Sequence, residues 1–147
     1  MTQPSKTPQP MGITEHDEPV RALIIDEPWI SLILAGEKTW EMRTSTTHIR
    51  GPIGLIRKGS GLVVGWARVV DSLGPFDRAA MLANGQRHRI DADLVTSGKV
   101  DKWRHAWVLR DAIALHVPVP YQHRSGAVIW VELSPEVSRR IVAQLGG

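Results

Sequence analysis

The chain has 147 residues, a formal net charge of +3 and no cysteine. That length suits one domain around one hydrophobic core, and the missing thiols exclude disulfides, iron–sulfur clusters, thiolate zinc sites and a cysteine nucleophile. No run approaches the roughly eighteen apolar residues of a spanning helix, and the start lacks a secretory pattern, so a soluble cytoplasmic protein without membrane contact is expected.

Residues 1–19 hold four of the ten prolines and no aromatic side chain. They offer too little apolar area to offset the entropy of ordering, and are expected to form a disordered tail ahead of a domain over residues 20–147. The domain opens with Val20–Asp26, a β-branched and aliphatic run of strand length. A short helix follows: Asp26 is placed to cap it, Pro28 falls in its first turn and Gly36 stops it. Trp29, Ile30, Leu32, Ile33 and Leu34 leave this helix little polar face, which predicts that it is wedged against a sheet. From Lys38 to Arg43 the pattern alternates with period two, setting Thr39, Glu41 and Arg43 on one face and Trp40 and Met42 on the other. Pro52–Lys58 and Leu62–Leu73 read as strands joined by a hairpin at Gly59, Ser60 and Gly61. Phe76–Asn84 and Asp91–Ser97 read as short helices. Ala106–Val117 and Ala127–Leu133 are further strands, separated by a proline-containing loop over Pro118–Gly126. Ser134 caps a last helix with Pro135 at its first position. This order predicts an α+β fold, a small mixed sheet curled into a partly closed barrel with flanking helices.

Charge is unevenly spread along the chain. Between Met42 and Val70 there is no acidic residue, while Arg43, Arg50, Arg57, Lys58 and Arg68 supply five cations. Such a one-signed segment can face phosphate; a solvated surface with acidic partners from elsewhere is the plainer reading. Lys38, Glu41 and Arg43 form a second focus, with Glu41 and Arg43 roughly 7 Å apart on one strand face. A carboxylate there can act as a general base or accept from a base-edge amino group, and the cations can hold a phosphate or an oxyanion. An ordinary surface ion pair fits the same spacing.

The run Gly36–Arg43, GEKTWEMR, after a helix that begins Pro28-Trp29, resembles the G-x-K-x-x-E-x-R signature of the ASCH family, which is related to the PUA and YTH folds. The likeness continues through the glycine-rich strand pair GPIGLIRKGSGLVVGWARV, a helical insertion, Trp107-Val108-Leu109 and the closing run SGAVIWVEL. This resemblance implies a PUA-like β-barrel whose cleft, between helix and sheet, is lined by the signature residues and binds RNA or a nucleotide. One branch of the family removes the acyl group of N4-acetylcytidine with a lysine, a threonine three residues later and a distant glutamate; other members are ribonucleases on single strands. By position the lysine is Lys38, and Glu41 stands in the threonine's place. The leading expectation is a binding module for RNA or a modified nucleotide, with Lys38, Trp40, Arg43, Arg50, Arg57, Lys58, Trp103 and Ser125 as contacts. The alternative is a metal-independent hydrolase, amidohydrolase or ribonuclease, in which Glu41 activates water and Lys38 and Arg43 stabilise the oxyanion. A protein-interaction domain is the third reading.

The chain carries six tryptophans against one phenylalanine and one tyrosine. Trp66 and Trp107 share their alternation phase with apolar neighbours and are expected in the core, whereas Trp40 and Trp103, with polar neighbours, are candidates for a cleft wall on which a base stacks. The histidines show no ligand spacing, so neither a metal nor another cofactor is expected. His88 and His123 are expected in exposed polar loops. Ser125, just ahead of Gly126, offers a hydroxyl for an anion, although a plain turn explains it equally well.

Overall fold

A computed structural model of the chain describes residues 17–146. Six strands form one sheet: β1 (Arg21–Ile25), β2 (Trp40–Arg43), β3 (Gly51–Arg57), β4 (Leu62–Leu73), β5 (His105–Pro120) and β6 (Trp130–Glu132). Their order across the sheet is β2-β5-β4-β3-β1-β6. The β1–β3 pair is parallel and every other pair is antiparallel, so the sheet is mixed, as expected. Helix α1 (Trp29–Leu34) links β1 to β2; α2 (Arg78–Ala83), α3 (Gly85–His88) and α4 (Ala92–Ser97) form an insertion between β4 and β5; α5 (Pro135–Val142) closes the chain.

The long β4–β5 pair carries three register irregularities, between Val63 and Gly65, Trp66 and Arg68, and Val69 and Asp71. Such bulges add local twist and coil the sheet into a half-barrel. Its two margins, β2 and β6–β1, approach each other without a backbone ladder. Side chains join them instead. Arg43 Nη2 on β2 donates to Ile24 O on β1 at 2.8 Å, and the rings of Trp107 (β5) and Trp130 (β6) stack at 5.7 Å.

The barrel interior is aliphatic, with Leu23, Ile25, Ile53 and Leu55 fully buried beside Ile30 and Ile33 of α1. The helix is wedged there as its composition demands, and Gly65 is what admits it: a side chain at Gly65 would run into Leu34 and come within 3.0 Å of Ile113 O. The cap differs from expectation. Pro28 occupies the N-cap position, Asp26 turns its carboxylate to the Glu27 N–H at 2.9 Å, and Glu27 accepts from the Ser31 N–H and hydroxyl at 3.3 and 2.7 Å. A second cluster includes Trp66, Val63, Val131 and Ile141 beneath α5; there Ser134 caps as expected, accepting from the Val137 N–H at 3.2 Å. The third cluster packs Met81, Val95 and Val100 of the insertion against Trp40 and Met42.

Residues 1–16 of the expected tail lie outside the described residues, but Asp17–Pro19 do not behave as a tail. Trp66 Nε1 donates to Asp17 O at 2.9 Å, the Asp17 carboxylate pairs with Arg68, and Pro19 O accepts from the Ser138 hydroxyl. Strand β5 runs on through Pro118 and Pro120, where a loop is expected. Among the described residues its only strand partner at that end is β4, since β2 pairs no further than Val108, and an edge tolerates residues that cannot donate to a ladder.

Candidate functional site

At the seam between the two sheet margins lies a cavity of about 240 Å³. Arg43 and Glu41 enter it from β2, Trp29 from α1, Lys58 from the end of β3, and Trp103 from the segment that leads back from the insertion to β5. Lys38, just ahead of β2, forms its deepest charged group with 2 % exposure. The alternation of β2 places Glu41 and Arg43 on the same side, and the curl of the sheet turns that side onto β1.

The three signature side chains meet inside this space. Glu41 Oε2 accepts from Arg43 Nε at 3.1 Å and lies 2.9 Å from Nη2. Its other oxygen, Oε1, stands 3.8 Å from Lys38 Nζ, beyond hydrogen-bond distance. Lys38 Nζ donates to His88 O at 2.6 Å and sits 4.9 Å above the Trp29 ring. Arg43 Nη1 makes no hydrogen bond to a described residue. The pair is therefore half satisfied: one carboxylate oxygen, two ammonium protons and one guanidinium nitrogen remain for something in the cavity. Burial pulls the Lys38 pKa down to about 8, with the Arg43 charge adding to the effect and Glu41 opposing it.

His88 corrects an expectation. It is fully buried rather than exposed in a loop, because its ring bridges the insertion: Nδ1 accepts from the Ile90 N–H at 2.9 Å, which makes Nε2 the donor to Met81 O at 2.6 Å. The neutral ring is thus fixed as one tautomer, and burial, helped by the Lys38 charge, lowers its pKa. Its backbone carbonyl holds Lys38, so the insertion positions the ammonium.

The other candidate residues are placed as follows. Lys58 and Trp103 line the cavity. Trp40 does not: it is buried at 8 % exposure, stacked on Phe76 at 5.3 Å with Arg87 over its ring at 5.5 Å, because the alternation that turns Glu41 inward turns Trp40 to the insertion. Arg50 donates to Thr47 O and Ile49 O at 2.9 and 2.8 Å, and Arg57 pairs with Glu27 at 2.9 Å; neither lines the cavity. Ser125 is exposed on the β5–β6 loop, outside it. His123, in the same loop, is exposed as expected. Trp66 and Trp107 are core residues at 3 % exposure each. Sequence reasoning missed Trp29 as the wall beneath Lys38. Its place in the first turn of a helix leading straight into the signature was the available signal. No group of three or more His, Asp or Glu side chains able to hold a metal ion occurs among the described residues, and no described helix is long and apolar enough to cross a membrane.

The family model for the ASCH domain matches residues 23–119. The chain belongs to the ASCH family. Its fold agrees with the crystal structure of ASCH from Zymomonas mobilis, with a TM-score of 0.61 at 15 % identity over 84 % of this chain and 93 % of that one. A serine-to-alanine variant of that ASCH protein matches with a TM-score of 0.60 at 16 % identity over 86 % and 96 %. Among curated proteins none matches this sequence. In this ASCH domain the family match spans β1 to the end of β5 and so includes the whole signature, whereas β6 and α5 lie beyond it.

Proposed function

We propose that this ASCH domain binds RNA or a nucleotide by taking one base into the seam cavity. The observation that carries this reading is the half-satisfied Lys38–Glu41–Arg43 group facing a space of about 240 Å³. That volume lies below the roughly 300–1,000 Å³ of sites for drug-sized ligands and suits a single base. Glu41 Oε1 accepts from a ring or exocyclic N–H, Lys38 Nζ and Arg43 Nη1 donate to the adjacent carbonyl or ring nitrogen, and Trp103 or Trp29 offers a face for stacking. Lys58, exposed at the mouth with only Asp26 at 3.8 Å, meets phosphate. Recognition through unpaired base edges is the way single-stranded RNA is read. Calorimetric titration with nucleoside monophosphates and a short single strand at low salt tests this. Binding that weakens at least ten-fold in Lys38→Met and in Glu41→Gln is expected; no binding, or binding indifferent to both changes, overturns the reading.

One observation favours hydrolysis in the same cavity. An ammonium with a pKa near 8 beside a carboxylate oxygen that lacks a hydrogen bond is the pattern of an acid–base site. In this reading Glu41 takes a proton from water as the water oxygen bonds to an acyl carbon. Lys38 and Arg43 hold the resulting oxyanion, and the amine leaves with the proton that Glu41 returns. Release of cytidine from an N4-acylated cytidine, abolished in Glu41→Gln with binding retained, would establish it; an unchanged substrate after long incubation removes it.

A further inference from the structure

A second cavity, of about 480 Å³, adjoins the first. Ile24, Lys58 and Val128 line both, so the two spaces are one trough divided by a low ridge. Beyond the ridge the floor is the β3–β4 turn, where Gly59 and Gly61 have φ of +82° and +71° with open space where side chains would stand. The far wall is Tyr121 and His123. These two form a platform: the Tyr121 hydroxyl and His123 Nδ1 are 3.1 Å apart, and their rings meet edge to face at 5.9 Å. The platform is fixed to the turn by the Tyr121 N–H, which donates to Gly61 O at 3.3 Å, and by the packing of Tyr121 against the cluster that contains Trp66. Lys58 on the ridge is 65 % exposed, and its ion pair with Asp26 is long, so its ammonium is free to turn to another anion at little cost.

We infer that this trough is a second nucleotide subsite, and that the ligand is a single strand of at least two nucleotides rather than a free nucleoside. The inference rests on the base-binding reading of the first cavity. One base enters beside Glu41, the phosphate that joins it to its neighbour lies on Lys58, and the neighbouring base stacks on the exposed His123 ring, which Tyr121 braces edge to face. The arrangement explains why a cation stands between two hollows and why glycines border the outer one: a sugar–phosphate backbone crosses there, and a side chain at either turn position would narrow its path. Stacking is tolerant of base identity, so the outer subsite adds affinity while the inner one selects.

The test compares a nucleoside monophosphate with a four-nucleotide single-stranded RNA, each titrated into the wild type, Tyr121→Leu, His123→Ala and Lys58→Gln at several salt concentrations. Leucine keeps the apolar packing of Tyr121, and circular dichroism confirms that each variant is folded. The wild type is expected to bind the tetranucleotide at least ten-fold more tightly than the monophosphate. Tyr121→Leu and His123→Ala lower tetranucleotide affinity roughly ten-fold, the scale of one stacked base, and leave monophosphate affinity unchanged. Lys58→Gln makes the log–log salt slope for the tetranucleotide shallower by about 0.7, one phosphate contact on a single strand. Equal affinity for the two ligands, or variants at the platform that bind the tetranucleotide as the wild type does, overturns the second subsite while leaving the first intact. Failure of the wild type to bind either ligand overturns both.

Discussion

An ammonium at 2 % exposure, with one carbonyl oxygen at 2.6 Å and a carboxylate at 3.8 Å, has lost most of its hydration and regained only part of it. The depressed pKa of Lys38 states the same imbalance: the charged form costs the folded protein about 3 kcal/mol relative to an exposed lysine. Because the folded pKa lies below the unfolded one, the unfolded chain binds more protons between pH 8 and 10.5, and stability rises with pH across that window. Lys38→Met is therefore expected to raise stability at pH 7 by about 1 kcal/mol in urea unfolding, the gain being limited by the donor lost to His88 O, and to abolish the rise above pH 8. A residue that weakens the fold where it stands is one retained for what it contacts. His88 has the same sign. Its folded pKa is lowered by burial, so stability is present above about pH 6.5 and falls as the pH drops below it. His88→Ala, which leaves a cavity and two unpaired backbone groups, is expected to cost about 2–4 kcal/mol by urea unfolding and to remove this acid-side loss.

Elements were legible in proportion to how local their causes are. Alternation in GEKTWEMR, the glycine turn at residues 59–61 and the Ser134-Pro135 start of α5 each encode an element within a few residues, and each is found where expected. The burial of His88 and of Trp40 has a distant cause, the insertion folding back over β2, which no short-range pattern records. The length of β5, which runs through Pro118 to Pro120, has a distant cause as well, since whether a proline interrupts a strand depends on what lies beside it. Of the site, Glu41 and Arg43 were readable from one strand face and Lys38 from its place just ahead of that strand; the Trp29 wall and the carbonyl that holds Lys38 were not, because they come from other elements. The contact between α1 and the sheet is the most exacting of these long-range fits. Gly65→Ala forces Leu34 and the β5 backbone at Ile113 to move, and is expected to destabilise by about 1–3 kcal/mol through overpacking, read as a lower urea midpoint with an unchanged m-value. The same shift tilts the helix that carries Trp29, so weaker nucleotide binding accompanies it.

For the molecule as a whole, the sheet curls far enough to bring β2 near β1 yet leaves the last gap without backbone pairing. Arg43 spans that gap with one donor on Ile24 O and two on Glu41, so it supports the fold as well as lining the cavity. Arg43→Ala is expected to lower stability by about 2–3 kcal/mol, since the Glu41 charge is left buried beside a single distant cation. Hydrogen exchange measures where that loss falls: faster exchange is expected at residues 21–25 and 40–43, with the α5 region unchanged.

A ring that ends in a gap behaves as a bracelet whose clasp is the occupant of the gap. Anything seated between Glu41 on β2 and Ile24 on β1 touches both margins at once, so its affinity adds to the stability of the whole ring, by about 2.7 kcal/mol when it is present at a hundred times its dissociation constant. The domain should report occupancy by its melting temperature alone.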